Sequence, residues 1–250
     1  MEFLIVCPLA FIAGFVDAIA GGGGLISLPA YLFAGLPVHV AIGTNKLSSS
    51  MGTLIATVRY VINGYMVRTF VAVGVPCALI GSGIGSNLAL VTGDFVFKLF
   101  MLCALPFVAF FVLKTKDLDA FSRVEIPRGR ALAITAAIAL VIGVYDGFYG
   151  PGTGTFLMLL LTTLAHQDVR SAAGTTKAIN LSTNLAALAV FLVNGVVLLP
   201  LGIAAGAFNI AGNYLGAGSF TKRGSAIARP IMLVVIVLFA LKLVADLFVA

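Results

Sequence analysis

Gly14-Phe-Val-Asp17-Ala-Ile-Ala-Gly-Gly-Gly-Gly24 returns 129 residues later as Gly143-Val-Tyr-Asp146-Gly-Phe-Tyr-Gly-Pro-Gly-Thr-Gly154. The echo continues after a two-residue insertion. Thr44-Asn45-Lys46 reappears as Thr175-Thr176-Lys177, Asn63-Gly64 as Asn194-Gly195, and Gly81-x-x-x-Gly85 as Gly212-x-x-x-Gly216. Four matched features at a near-constant shift mark a tandem duplication. The halves are residues 1–113 and 131–250, joined by a basic linker, 114–130.

Composition sets the solvent. Apolar residues make up 61% of the chain, charged residues 10%, and the mean hydropathy is +1.15. A soluble domain carries about 25% charged residues, so most of this surface must face lipid. The formal charge of +6 does not indicate nucleic acid, because the basic residues gather in loops between apolar runs. Cys7, Cys77 and Cys103 lie in apolar stretches without CxxC spacing and indicate neither a disulfide framework nor a metal. The N-terminus is apolar from residue 3 and has no positive n-region, so it reads as the first membrane segment.

Taken in order, the first half offers apolar runs at 3–20, 24–35, 42–62, 70–91 and 95–113. The second offers 131–148, 153–165, 173–193, 200–219 and 227–249. The runs 24–35 and 153–165 are too short to cross a hydrocarbon core of about 30 Å at about 1.5 Å per residue. Each follows a glycine cluster, so broken or re-entrant helices are expected there. Leu36-Pro37-Val38-His39 reads as a turn. The fold class is therefore an all-α polytopic membrane protein.

Charge orients the spans. With the linker in the cytoplasm, the same side also receives Arg59, Arg68, Arg170, Lys222, Arg223 and Arg229. With the five linker charges these make 11 of the 15 basic residues, while the opposite turns 36–41, 92–94 and 194–200 hold none. The positive-inside rule is met. With each short run and its predecessor returning to their starting side, Asn63-Gly64 falls inside and Asn194-Gly195 outside, which gives the halves opposite topology. Were each such pair one broken helix, the halves would be parallel and the positive bias weaker. Inverted repeats recur in secondary transporters, with substrate held near the midplane where discontinuous helices meet.

Several residues could carry chemistry. Gly21, Gly22, Gly23 and Gly24, and Gly150, Gly152, Thr153 and Gly154 with Pro151, interrupt helices whose restart points backbone N–H groups at the break, a site suited to an anion. The same glycines would also serve a tight turn or close helix packing. Asp17 and Asp146 are the acids within the predicted crossings away from their ends, and such residues are functional candidates by default. A carboxylate there can alternate between charged and neutral forms and so couple to protons, or can brace the glycine turn. Lys46 and Lys177 are costly near the bilayer centre and need a compensating partner. They sit beside Thr44, Asn45, Thr175, Thr176 and Asn180, with Ser48, Ser49, Ser50, Ser182 and Asn184 nearby, a set suited to a small oxyanion. Were the helix to open at Gly43, Lys46 would lie only about 6 Å deep, at a vestibule. Asn87, Asn209 and Asn213 line a path or bond between helices. His39 and His166 lie at turns with no metal-ligand spacing, and no catalytic triad or cofactor motif is present.

These motifs resemble the sulfite exporter TauE/SafE family of bacterial and archaeal membrane proteins. The likeness rests on Gly14 to Gly24, Leu28-Pro29-Ala30 and Gly43-Thr-Asn-Lys46, and on Asp146 to Gly154 and Gly174-Thr-Thr-Lys177. It covers essentially the whole chain. The second copy has Pro151 for Gly22 and Thr176 for Asn45, so the half-sites need not be equivalent. The resemblance implies a multi-pass inner-membrane permease without cofactor, moving small sulfur-containing or organic anions such as sulfite or sulfoacetate, mostly outward and driven by the proton gradient. Its partners would be the anion, protons, membrane lipid and a possible second copy of the chain. A passive anion channel and a non-transporting membrane scaffold are the alternatives.

Overall fold

The computed structural model describes residues 1–114 and 126–218, together with Val237. The described residues form helices in the order α1 Glu2–Ala20, α2 Gly24–Phe33, α3 Val38–Ile62, α4 Arg68–Val91, α5 Asp94–Lys114, α6 Arg128–Phe148, α7 Thr153–Thr163, α8 Val169–Val193 and α9 Leu199–Gly218, with short turns from α1 to α5 and from α6 to α9. Helices of 19, 10, 25 and 24 residues in the first half face 21, 11, 25 and 20 in the second. Four of them, α1, α4, α6 and α8, are long and apolar enough to cross a membrane. The short pair, α2 and α7, span about 15 Å each and cannot.

Boundaries follow local chemistry. α1 stops at Gly21, which takes the left-handed conformation (φ 71°) and donates its amide to Asp17 O at 2.8 Å. α8 starts on Asp168, whose carboxylate accepts from the amides of Arg170 and Ser171, an N-cap that satisfies two otherwise unpaired donors. The turn expected at Leu36 to His39 is shorter than the sequence suggests. Pro37 is the N-cap of α3 and the helix begins at Val38, since proline preorganises a helix start. Similarly, α8 begins at Val169, ahead of the span expected from 173, and α6 reaches back to Arg128, inside the stretch read as linker. The rest of that linker from 115 to 125, and the expected span 227–249, lie outside the described residues.

The helices pack through glycine. A Cβ at Gly81 or Gly85 of α4 would strike the backbone of Leu140, Val144 or Phe148 in α6, and one at Gly212 or Gly216 of α9 would strike Phe11 or Phe15 in α1. Small residues let backbones approach closely where lipid removes the hydrophobic drive for association. The two small-residue motifs thus serve packing, α4 against α6 and α1 against α9. Leu54, Val58, Ile80, Ile84, Leu88 and Leu185 face outward, while Asn45, Lys46, Asp146, Lys177 and Asn180 are buried. These polar groups are inside, and apolar side chains both fill the core and face outward, as a lipid solvent permits.

Contacts also sort the turns onto two ends. At one, His39 Nε2 lies 2.9 Å from Ala89 O and 3.1 Å from Thr92 O, and Leu198 N donates to Thr44 Oγ1 at 2.9 Å. At the other, Arg170 stands over the Tyr65 ring, Arg59 donates to Tyr214 O, and Arg128 donates to Thr69 Oγ1 at 3.2 Å. α3 therefore begins at the end where α8 finishes, and the two run antiparallel.

Candidate functional site

The two glycine breaks meet. A Cβ on Gly154 would lie 2.5 Å from Gly21 Cα, and one on Gly24 would lie 3.1 Å from Pro151 Cα. α2 and α7 thus start from one place, and helix starts leave amide donors without intrahelical partners. Gly150 and Gly152, at φ 95° and 85°, bend the chain from α6 into α7, a conformation closed to most side chains. Tyr145 reaches back across this bend and donates its hydroxyl to Pro151 O at 2.5 Å.

Around the meeting point stand two crossed ion pairs. Lys46 Nζ, from α3, lies 2.7 Å from Asp146 Oδ2 of α6, and Lys177 Nζ, from α8, lies 2.9 Å from Asp17 Oδ2 of α1. Each lysine finds the aspartate of the other half. The side chains of the first pair are 2% and 3% exposed, and those of the second 4% and 11%. Buried charges stand only when paired and hydrogen-bonded, and the remaining valences are filled accordingly. Lys46 also donates to Asn184 Oδ1 at 3.0 Å, and Thr153 Oγ1 lies 2.7 Å from Asp146 Oδ1. Lys177 also donates to Asp17 O at 2.6 Å, and Gly23 N approaches Asp17 Oδ1 at 3.4 Å.

The pairs border a cavity of about 30 Å³, room for a water or two. Asp17, Gly21, Gly23, Gly24, Asn45, Lys46, Asp146, Gly150, Thr153, Gly154 and Asn180, all singled out in the sequence, line it. Others do not. Gly22, Gly152 and Lys177 stand behind the wall, and Thr44 is spent on the Leu198 amide. Thr175 and Thr176 are buried with unpartnered hydroxyls away from the cavity. Lys46 is eight residues into α3, about 12 Å from the helix start, deeper than a start at Gly43 would place it. His39 lies in the first turn of α3, with Nδ1 3.3 Å from Asp94. Asn87 faces outward and donates to its own helix, at Gly83 O.

Ser49, Thr53, Asn184 and Asn209 complete the lining. Of these, Thr53 alone is not singled out in the sequence. The signal for it is periodic: Lys46, Ser49 and Thr53 recur as Lys177, Asn180 and Asn184, at i, i+3 and i+7, one face of a helix. Among the described residues no group of three or more His, Cys, Asp or Glu side chains could hold a metal ion.

The family model described as sulfite exporter TauE/SafE matches residues 6–243. The chain belongs to the TauE/SafE family. Among its relatives, a "Probable membrane transporter protein ORF9" of Sinorhizobium sp is 37% identical over 98% of this chain and 93% of its own length. A "Probable membrane transporter protein" of Haemophilus influenzae is 34% identical over 95% and 92%. The "Probable membrane transporter protein YfcA" of Escherichia coli is 28% identical over 95% and 88%. No solved structure matches. As a TauE/SafE protein with several long apolar helices, the chain is a multi-pass membrane transporter, and the cavity lies where its two glycine motifs meet.

Proposed function

We propose that this transporter is a proton-coupled carrier of small sulfur-containing or organic anions, such as sulfite or sulfoacetate, working by alternating access between two inverted repeats. The observation that carries this reading is the crossed pairing of Lys46 with Asp146 and of Lys177 with Asp17 beside the two helix breaks. The opposed directions of α3 and α8, and the exchange of partners between halves, support the inverted arrangement. A cavity for a water or two is a closed state of such a cycle.

The pairing links anion to proton. In the closed state the four charges sum to zero, so an added anion would stand uncompensated in a low dielectric. Protonating one carboxylate leaves one ammonium in excess, which the anion then neutralises. Proton and anion bind together and cross on one stroke, with no net charge moved for a monoanion such as hydrogen sulfite and one negative charge moved for a dianion such as sulfoacetate. Rocking of the halves breaks and remakes the pairs, because each pair has one member in each half. Export then runs on the anion's own outward gradient, and an inward proton gradient drives the same cycle backwards into uptake.

The test is uptake of radiolabelled sulfite and sulfoacetate by the purified protein in liposomes, with and without a proton gradient directed inward. Accumulation above equilibrium that vanishes in K46A/K177A is the expected result. Equilibration without accumulation replaces the carrier with a channel, and unchanged uptake in the double variant removes the lysines from the site.

A further inference from the structure

We infer that the two ion pairs divide the work: Asp17 takes the proton and Lys46 takes the anion, while Asp146 and Lys177 hold these two in place. This rests on the carrier reading above and assigns its two coupled events to two atoms.

The pairs are alike in sequence but not in bonding. Both carboxylate oxygens of Asp146 are engaged at 2.7 Å, Oδ2 by Lys46 and Oδ1 by Thr153. Asp17 has one such partner on Oδ2, Lys177 at 2.9 Å, whereas Oδ1 meets only the Gly23 amide at 3.4 Å. An N–H···O contact at that distance is weak. The Asp17 side chain is also the most exposed of the four, and it lines the cavity. A carboxylate with an underused oxygen, on a residue that lines a water-sized space, can accept a proton there while its other oxygen keeps the hydrogen bond from Lys177. Protonating Asp146 Oδ1 instead requires Thr153 to give up its donation there and turn its proton to Gly150 O, 2.6 Å away.

The lysines differ in the complementary way. Lys177 donates to both Asp17 O and Asp17 Oδ2 and stands outside the cavity wall. When Asp17 is protonated, the carbonyl still holds this ammonium in place, and its charge is no longer balanced. Lys46 lines the cavity, gives two of its three N–H bonds to Asp146 and Asn184, and keeps one. The excess charge therefore arises at Lys177, and the free donor for the anion is at Lys46. The groups facing Asp17 are Lys177 from α8 and Tyr60 of α3, whose hydroxyl donates to Ala18 O at 3.0 Å. Lys46 and Asp146 stand across the cavity.

The difference traces to sequence. Thr153 corresponds to Gly24 at the shift that matches Asp146 with Asp17, so the first half has no hydroxyl to close the second carboxylate oxygen.

The experiment uses the whole protein in lipid and needs no substrate for its first arm. Infrared difference spectra between alkaline and acidic pH are recorded for wild type, D17N, D17E and D146N. A protonated-carboxyl band is expected in wild type, lost in D17N, shifted in D17E and kept in D146N. Loss in D146N instead, or no band in wild type, overturns the assignment, and D17E carries the test should D17N not fold. The second arm is radiolabelled sulfite in liposomes. D17N should make sulfite exchange independent of pH and lose accumulation under a proton gradient. D146N, which leaves the Lys46 ammonium without a balancing carboxylate, should retain the response to the gradient with KM for sulfite lowered about tenfold, the worth of one charge-assisted hydrogen bond to the anion. Accumulation in D17N overturns the proposal. If wild type accumulates no sulfite while the band follows Asp17, the carrier reading fails for that anion and the proton site stands.

Discussion

Lys46 and Asp146 stand 100 positions apart in the chain and meet at 2.7 Å in its interior, each almost sealed from solvent. Neither half can bury its own charge alone, so the pair stabilises the folded chain only when the two halves are together. Removing one member strands the other, which costs about 3–5 kcal/mol, whereas replacing both with apolar groups of similar volume is often near neutral. K46M and D146L should therefore each unfold well below wild type, and K46M/D146L should recover most of the loss while transporting nothing. A double-mutant cycle from unfolding in detergent checks this. A double variant no more stable than the worse single one would show that the pair is not coupled.

Thr153 is the least conspicuous member of the site and is expected to matter through a single hydroxyl. Its Oγ1 lies 2.7 Å from Asp146 Oδ1 and 2.6 Å from Gly150 O. It has one proton for two acceptors, and a charged oxygen draws it more strongly. T153V should cost about 1.5–3 kcal/mol, the range for hydrogen bonds to charged groups, and T153S should restore most of it. Thermal unfolding of the two variants decides the matter. Equal losses would assign the effect to the methyl group.

The sequence displays the interruptions of the fold more clearly than its partnerships. Glycine clusters cannot hide in a helix, so the breaks at 21–24 and 150–154 and the short helices after them were legible. The expected run 24–35 ends two residues sooner, at Phe33. The lysine partners were not legible, because contacts across 100 and 160 positions are decided by packing. Thr44 looked equivalent to Asn45 and Lys46. Positions two apart on a helix differ by about 200° in direction, and Thr44 turns to Leu198 while Lys46 faces the cavity. The i, i+3, i+7 repetition of Lys46, Ser49 and Thr53 held that distinction.

Asp168 caps α8 with two backbone bonds, at 3.1 Å from Arg170 N and 3.0 Å from Ser171 N. α3, its counterpart, opens on Pro37 with no side-chain cap. D168A should lower stability by about 1 kcal/mol and leave sulfite transport at wild-type rates, because the cap lies at the helix end, away from the cavity. D168N, which keeps an acceptor, should stay within a few tenths of wild type. Thermal unfolding beside liposome uptake measures both, and a transport defect in D168A would tie the α7–α8 turn to the gating motion.

Gly64 and Gly154 separate two reasons for keeping a glycine. Gly64 follows α3 at φ 72°, and a Cβ added there would have nothing within 4 Å. Its substitution by alanine meets only the left-handed backbone, a cost of about 1–2 kcal/mol. Gly154 lies in α7, where its backbone is regular, but an added methyl would sit 2.5 Å from Gly21 Cα. The obstacle there is backbone, not a side chain that can swing aside, so the two breaks must separate. Overpacking of this kind costs about 1–3 kcal/mol. The stability losses of G64A and G154A should therefore be similar. Transport should not be: G64A is expected to carry sulfite normally, and G154A to lose it, because only the second displaces the helix starts that border the cavity. Comparing uptake at matched folded fraction makes the distinction. If G154A transports like G64A, the contact between the breaks is not needed for passage.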